Sequence, residues 1–232
     1  MSEHDAAASR ERITWVRHHR IDLALHQLSS GDDPDARPLL LLHGLGERTP
    51  DAVPEGVSWP GPVYGLDFTG HGLSTVPVGG GYTSEILTGD VDAVLEGFGQ
   101  VTILGRGLGA YVALMISAAR PAQVAGAVLA DGPGLVGGGV HPGSPMVAYP
   151  EPNALAVPDP FALLELARDV RPPDYAQTYV RFFVERSELQ RPITVGAVVR
   201  PAWLAAVVDE PGVGESDVAS ALAYYADQGD TV

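Results

Sequence analysis

Val101-Thr102-Ile103-Leu104-Gly105-Arg106-Gly107-Leu108-Gly109-Ala110 is the stretch on which the reading of this sequence turns. A short, mostly apolar run bounded by turn residues suits a strand buried on both faces. Glycine at 105, 107 and 109 then allows backbone angles that other residues avoid. Ala110 to Ala119 continues as an apolar helix, ended by Arg120-Pro121. Strand, sharp turn and helix are predicted in direct succession.

Working outward, Leu39 to Leu42 and Val63 to Phe68 repeat the buried-strand pattern and end at His43-Gly44 and Thr69-Gly70-His71-Gly72. Glu47 to Pro62, between them, holds four prolines and predicts a short, irregular crossover. Thr83 or Ser84 caps a helix with Leu87, Val91, Val94, Leu95 and Phe98 on one face, stopped by Gly99. Ile13 to Leu28 reads as an antiparallel hairpin turning near Arg20-Ile21-Asp22, and Ser29 to Arg37 as loop. Val124 to Ala130 is the next buried strand. Strands alternating with helices imply a mostly parallel sheet with right-handed crossovers.

Beyond Asp131 the pattern weakens. Gly132 to Pro160 is rich in Gly and Pro and predicts no regular element. Phe161 to Val170 and Tyr175 to Glu188 read as helices, expected to form a small cap, about 132–190, over the sheet's carboxyl edge, where ligands of open α/β sheets bind. Ile193 to Val199 reads as strand, Trp203 to Val208 as strand or helix, and Ser216 to Ala226 as helix. The expected fold class is α/β: a mostly parallel sheet flanked by helices, with a shortened or degenerate C-terminal part. Residues 1–12 are expected to be a flexible tail and 13–232 a single domain.

Composition narrows the function classes. With 232 residues, 45% hydrophobic and 19% charged, the chain can bury a core of its own. A formal net charge of −15 opposes binding to nucleic acid or anionic membrane, so neither is expected as a partner. The absence of cysteine excludes disulfides, thiolate metal sites and a cysteine nucleophile. Met1 to Arg12 lacks the apolar core of a secretion signal, and no run approaches the roughly 18 apolar residues of a membrane span, which makes a cytoplasmic location the expectation.

Three motifs, His43-Gly44-Leu45-Gly46, Asp67-Phe68-Thr69-Gly70-His71-Gly72-Leu73-Ser74 and Gly105-Arg106-Gly107-Leu108-Gly109, each end a predicted strand. Together they resemble the α/β-hydrolase superfamily over roughly residues 13–135. The resemblance implies that Leu45 and Leu108 supply the backbone N–H groups of an oxyanion hole, directed into one concavity. It also implies that position 107 is the nucleophile position, which here holds glycine. The family order is nucleophile, acid, then a histidine after the last strand; the final histidine of this chain is His141, so Pro142 to Val232 offers no base. Asp131 stands where some members place the triad acid, but without partners it reads as a turn or capping residue. His43 and the Asp67–Ser74 turn read mainly as structural.

Other chemistries lack a pattern. No cluster of His, Asp and Glu has metal-ligand spacing, and the Gly105–Ala110 turn lacks the spacing of a dinucleotide loop. Gly79-Gly80-Gly81 lacks the lysine of a phosphate loop. No cofactor or metal is expected. Two readings stay open. One is a hydrolase homologue without the serine triad that binds a small ligand or partner near His43, Gly44, Leu45, Arg106, Gly107 and Leu108. The other is an atypical hydrolase or lyase in which His71, His43 or His141, with Asp67 or Asp131, acts as base on an ester-like or carbonyl substrate. The oligomeric state is unassigned.

Overall fold

A computed structural model describes residues 13–134, 157–169 and 171–228. Among the described residues eight strands form one sheet in the order β1-β2-β4-β3-β5-β6-β7-β8. They are β1 (Ile13–His18), β2 (Ile21–Ser29), β3 (Leu39–Leu42), β4 (Val63–Leu66), β5 (Val101–Arg106), β6 (Val124–Ala130), β7 (Ile193–Val195) and β8 (Val213–Glu215). β1 pairs antiparallel with β2, and β2 antiparallel with β4; every other pairing is parallel. Leu42 sits opposite both Leu66 and Gly105, Arg106 opposite Ala130, Leu129 opposite Val195, and Val195 opposite Glu215. The register therefore sets His43, Asp67, Gly107, Asp131, Gly196 and Ser216, each the first residue after its strand, along a single carboxyl edge.

The described helices are α1 (Ser84–Leu95), α2 (Leu108–Ala119), α3 (Pro160–Ala167), α4 (Pro173–Val184), α5 (Ala202–Val208) and α6 (Val218–Asp227). Thr83 caps α1, its side chain accepting from the Ile86 amide. Alternation along the strands divides the core in two. Leu40, Leu42, Val101 and Ile103 pack with α1, α2, α4 and α5, whereas Leu39, Leu41, Leu104 and Val128 pack with α6 and the irregular crossover. Leu108 to Ser117 is buried throughout, as befits a helix in the middle of a layer. Trp59 anchors the crossover by donating its indole N–H to the Arg37 carbonyl at 2.6 Å.

Of the segment expected to form a cap, about 132–190, residues 135–156 and 170 lie outside the described residues, and the described helices divide. Helix α4 lies in the layer against α2 and α5, because its apolar stripe of Ala176, Val180 and Phe183 is spent there. Among the described residues of that segment, α3 is the helix beside the carboxyl-edge turns: Asp159 N–H donates to Gly70 O at 2.9 Å, and Glu165 accepts from the Gly81 and Tyr82 amides at 2.7 and 2.6 Å. Trp203 to Val208, open between strand and helix from sequence, is helical. No described helix is long and apolar enough to cross a membrane.

Candidate functional site

The turn between β5 and α2 takes its shape from glycine. Gly107 adopts φ +51° and ψ −111°, backbone that a residue with a Cβ enters only under strain. A Cβ at Gly109 would stand 2.4 Å from Leu42 O, so helix and sheet approach as closely as they do because that atom is missing. Leu45 N–H and Leu108 N–H converge on one point. That point is filled: the Pro133 carbonyl oxygen accepts from Leu45 at 2.8 Å and from Leu108 at 3.0 Å.

Gly132-Pro133-Gly134, directly after β6, lies across the turn. A Cβ on Gly107 would meet Pro133 O at 2.1 Å and Gly132 C and O at 2.5 Å. The space into which a nucleophile side chain would project is occupied by this chain's own backbone. Sequence reading placed residues 132–134 in a structureless stretch; the Gly-Pro-Gly run ending a buried strand was the available signal. The concavity expected there is closed.

The histidines of the turns are committed to structure. The hydrogen-bond network assigns His43 a neutral ring, with Nδ1–H donating to Gly44 O at 2.8 Å and Nε2 accepting from Phe68 N–H at 3.2 Å. Burial, then the neighbouring His71, lowers its pKa to about 4. His71, fully buried, donates Nδ1–H to Thr69 O at 3.1 Å and accepts Gly46 N–H on Nε2 at 3.4 Å. Burial lowers its pKa as well. Neither ring keeps a free lone pair for proton abstraction. His141 falls outside the described residues.

Asp67 is the keystone of the neighbouring turn. Oδ1 accepts from Thr49 N–H at 2.7 Å; Oδ2 accepts from Leu73 N–H at 2.8 Å and pairs with His26 Nε2 at 2.9 Å. Burial pushes this carboxyl up, but the bonds from His26, Leu73 and Thr49 outweigh it and hold the pKa below the usual range. Asp90 likewise pairs with His18 at 2.8 Å and accepts from the Thr69 amide and hydroxyl, both at 2.9 Å. The first pair fastens β2 to the turn after β4, and the second fastens β1 to α1.

At the other end of the edge, Asp131 spends both carboxylate oxygens on the Val198 and Val199 amides, at 2.7 and 2.8 Å. After β8, where the resemblance would place the base, stand Ser216 and Asp217, and Asp217 caps α6 by accepting from Ser220 N–H. Arg106, half exposed, donates to Glu47 Oε1 at 3.1 Å, while Glu47 Oε2 accepts from Gly44 N–H at 2.9 Å. Sequence reading had not singled out Glu47. Among the described residues no group of three or more His, Asp or Glu is placed to hold a metal ion.

Sheet order, turn geometry and paired helical layers are those of an α/β-hydrolase-like fold. The hypothetical protein PA1622 from Pseudomonas aeruginosa PAO1 is similar at 18% identity and a TM-score of 0.61, over 93% of this chain and 97% of that one. A membrane phospholipase A described as a bacterial virulence factor matches at 15% identity and a TM-score of 0.55, over 98% and 91%. MGS-M2, an α/β hydrolase enzyme from a Medee basin deep-sea metagenome library, is 24% identical with a TM-score of 0.45, and this chain spans 43% of its length. No protein-family model and no curated protein matches the sequence.

Proposed function

We propose that this chain is a non-catalytic protein built on the α/β-hydrolase fold, which binds a small molecule beside its elbow. The observation that carries this reading is the Pro133 carbonyl on the Leu45 and Leu108 amides. Acyl transfer needs donors 2.7–3.1 Å from the developing oxyanion, and here both are already engaged. Position 107 carries no nucleophile, and no histidine follows His141. A base alone would lose most of the rate that a nucleophile supplies, and the saturated rings of His43 and His71 weigh against the reading in which one of them activates water.

Gly107→Ser tests this. The variant is expected to give no burst with short activated esters and no labelling by a serine-directed phosphonate, because a serine hydroxyl without a base is a poor nucleophile. Its urea unfolding should show a loss of about 1–3 kcal/mol from strain alone, enlarged by the clash with Pro133. Ester turnover by the native protein, or stoichiometric phosphonate labelling of any of its serines, would overturn the proposal.

A further inference from the structure

We infer that a cavity on the α6 side of the sheet, bordered by Leu41, Thr49, Pro50, Pro54, Leu104 and Arg106, is the binding site, and that it takes a small monocarboxylate with an apolar body. This inference rests on the non-catalytic reading only for its premise that the ligand is bound rather than turned over.

The cavity exists because of what covers it. The crossover after β3 is irregular, so prolines rather than a helix lie over the carboxyl ends of β3 and β5. Leu39 and Val128, deeper in the sheet, are completely sealed, whereas Leu41 and Leu104 keep 7% and 6% of their surface open. The cavity, open to solvent on one side, holds about 350 Å³, within the range of about 300–1,000 Å³ that small-molecule sites occupy. A mainly apolar wall with few convergent polar groups is the usual make-up of such a site.

The charge of the lining points to a carboxylate. The lining carries two guanidinium groups, Arg48 and Arg106, against one carboxylate, Glu47, in a chain whose formal charge is −15. Arg48 is engaged by both oxygens of Asp51, at 2.9 and 3.1 Å. Arg106 shows a single N–H bonded to Glu47, and a guanidinium has five donors in a planar fork that matches a carboxylate. In addition, Thr49 Oγ1 is buried without a hydrogen-bond partner among the described residues, on a residue that lines the cavity. A bound carboxylate meets Arg106 as a charge-assisted pair while its apolar body lies against Leu41, Leu104 and the two prolines.

The test is a titration of the full-length, ¹⁵N-labelled protein with 4-phenylbutanoate and, separately, with neutral 4-phenylbutanamide. Saturable shifts are expected at the Leu41, Thr49 and Leu104 amides and the Arg106 Nε–H, with the amide compound binding about tenfold more weakly, as the loss of a charge-assisted hydrogen bond predicts. Arg106→Gln should weaken the acid by the same factor and leave the amide compound unchanged; Arg106→Lys, keeping the charge, should recover part of it. Leu104→Phe, filling the cavity, should abolish both. Equal affinity for acid and amide, or no saturable shift up to about 10 mM, overturns the assignment. Shifts confined to Leu45, Leu108 and Gly134 also overturn it, because the ligand would then have displaced Pro133 at the elbow. Turnover of a phenylbutanoate ester overturns the non-catalytic reading and leaves the cavity assignment to stand on the shifts.

Discussion

The turns after β3 and β4 are held by side chains, whereas the turns after β5 and β6 are held by main chain. In the first region Asp67 gathers the Thr49 and Leu73 amides and His26, while His43 bridges Gly44 and Phe68. In the second, Pro133 O receives two amides and Gly107 N–H donates to Ala130 O at 3.2 Å. The single carboxylate there, Asp131, is a brace for the loop after β7. The contrast teaches where each kind of information resides. Glycine spacing and strand register are enough to bring the two amides together at the turn, whereas the neighbouring turn depends on the identity of particular side chains.

The sharpest attack on that contrast is Asp67→Ala. Removing one member of a buried, multiply bonded pair costs about 3–5 kcal/mol, measured as a shift in the urea midpoint at an unchanged slope. A loss below about 1 kcal/mol would mean that side chains do not hold the first region.

Next comes pH. His43 is neutral in the fold with a pKa near 4, against 6.5 when unfolded. Between those values the unfolded chain binds a proton that the native state refuses, so stability falls as pH drops from about 6.5 to about 4 and flattens below. The size is on the order of 3 kcal/mol. His71, also lowered by burial, acts in the same direction, while Asp90, whose pKa burial raises, opposes it at the acid end. Asp67, held below its usual value, adds a loss only as pH falls below about 4. Denaturant titrations at pH 7 and 4.5 measure the slope, and His43→Asn should flatten it. A native protein equally stable at both values would contradict the buried, neutral assignment.

The smallest effect belongs to Asp131→Ala, since its bonds reach an exposed loop: about 1 kcal/mol, with faster amide exchange at Val198 and Val199. A loss as large as that of Asp67→Ala would erase the difference between the two regions.

Much of this was legible in the residues. Val124 to Ala130 and Leu39 to Leu42 coincide with β6 and β3, because a buried strand between turn residues leaves a contiguous apolar run. The elbow declared itself through three alternate glycines. By contrast β8, Val213–Glu215, has three residues and no run to detect. The placement of α4 depended on which apolar surface its stripe would meet, a tertiary matter that periodicity does not carry. The closure by Pro133 was invisible for another reason: its chemistry belongs to a carbonyl, which every residue possesses, and only the path of the chain decides where it points.

That path makes the Pro133 carbonyl an intramolecular competitor. A dissolved anion approaching the Leu45 and Leu108 amides must displace a group tethered to the same molecule, whose effective concentration, even on a short flexible linker, is in the millimolar range. Weak carboxylates at ordinary solute levels would thus meet a site that behaves as already saturated, and the occupancy of those two amides would be insensitive to what the surrounding solution contains.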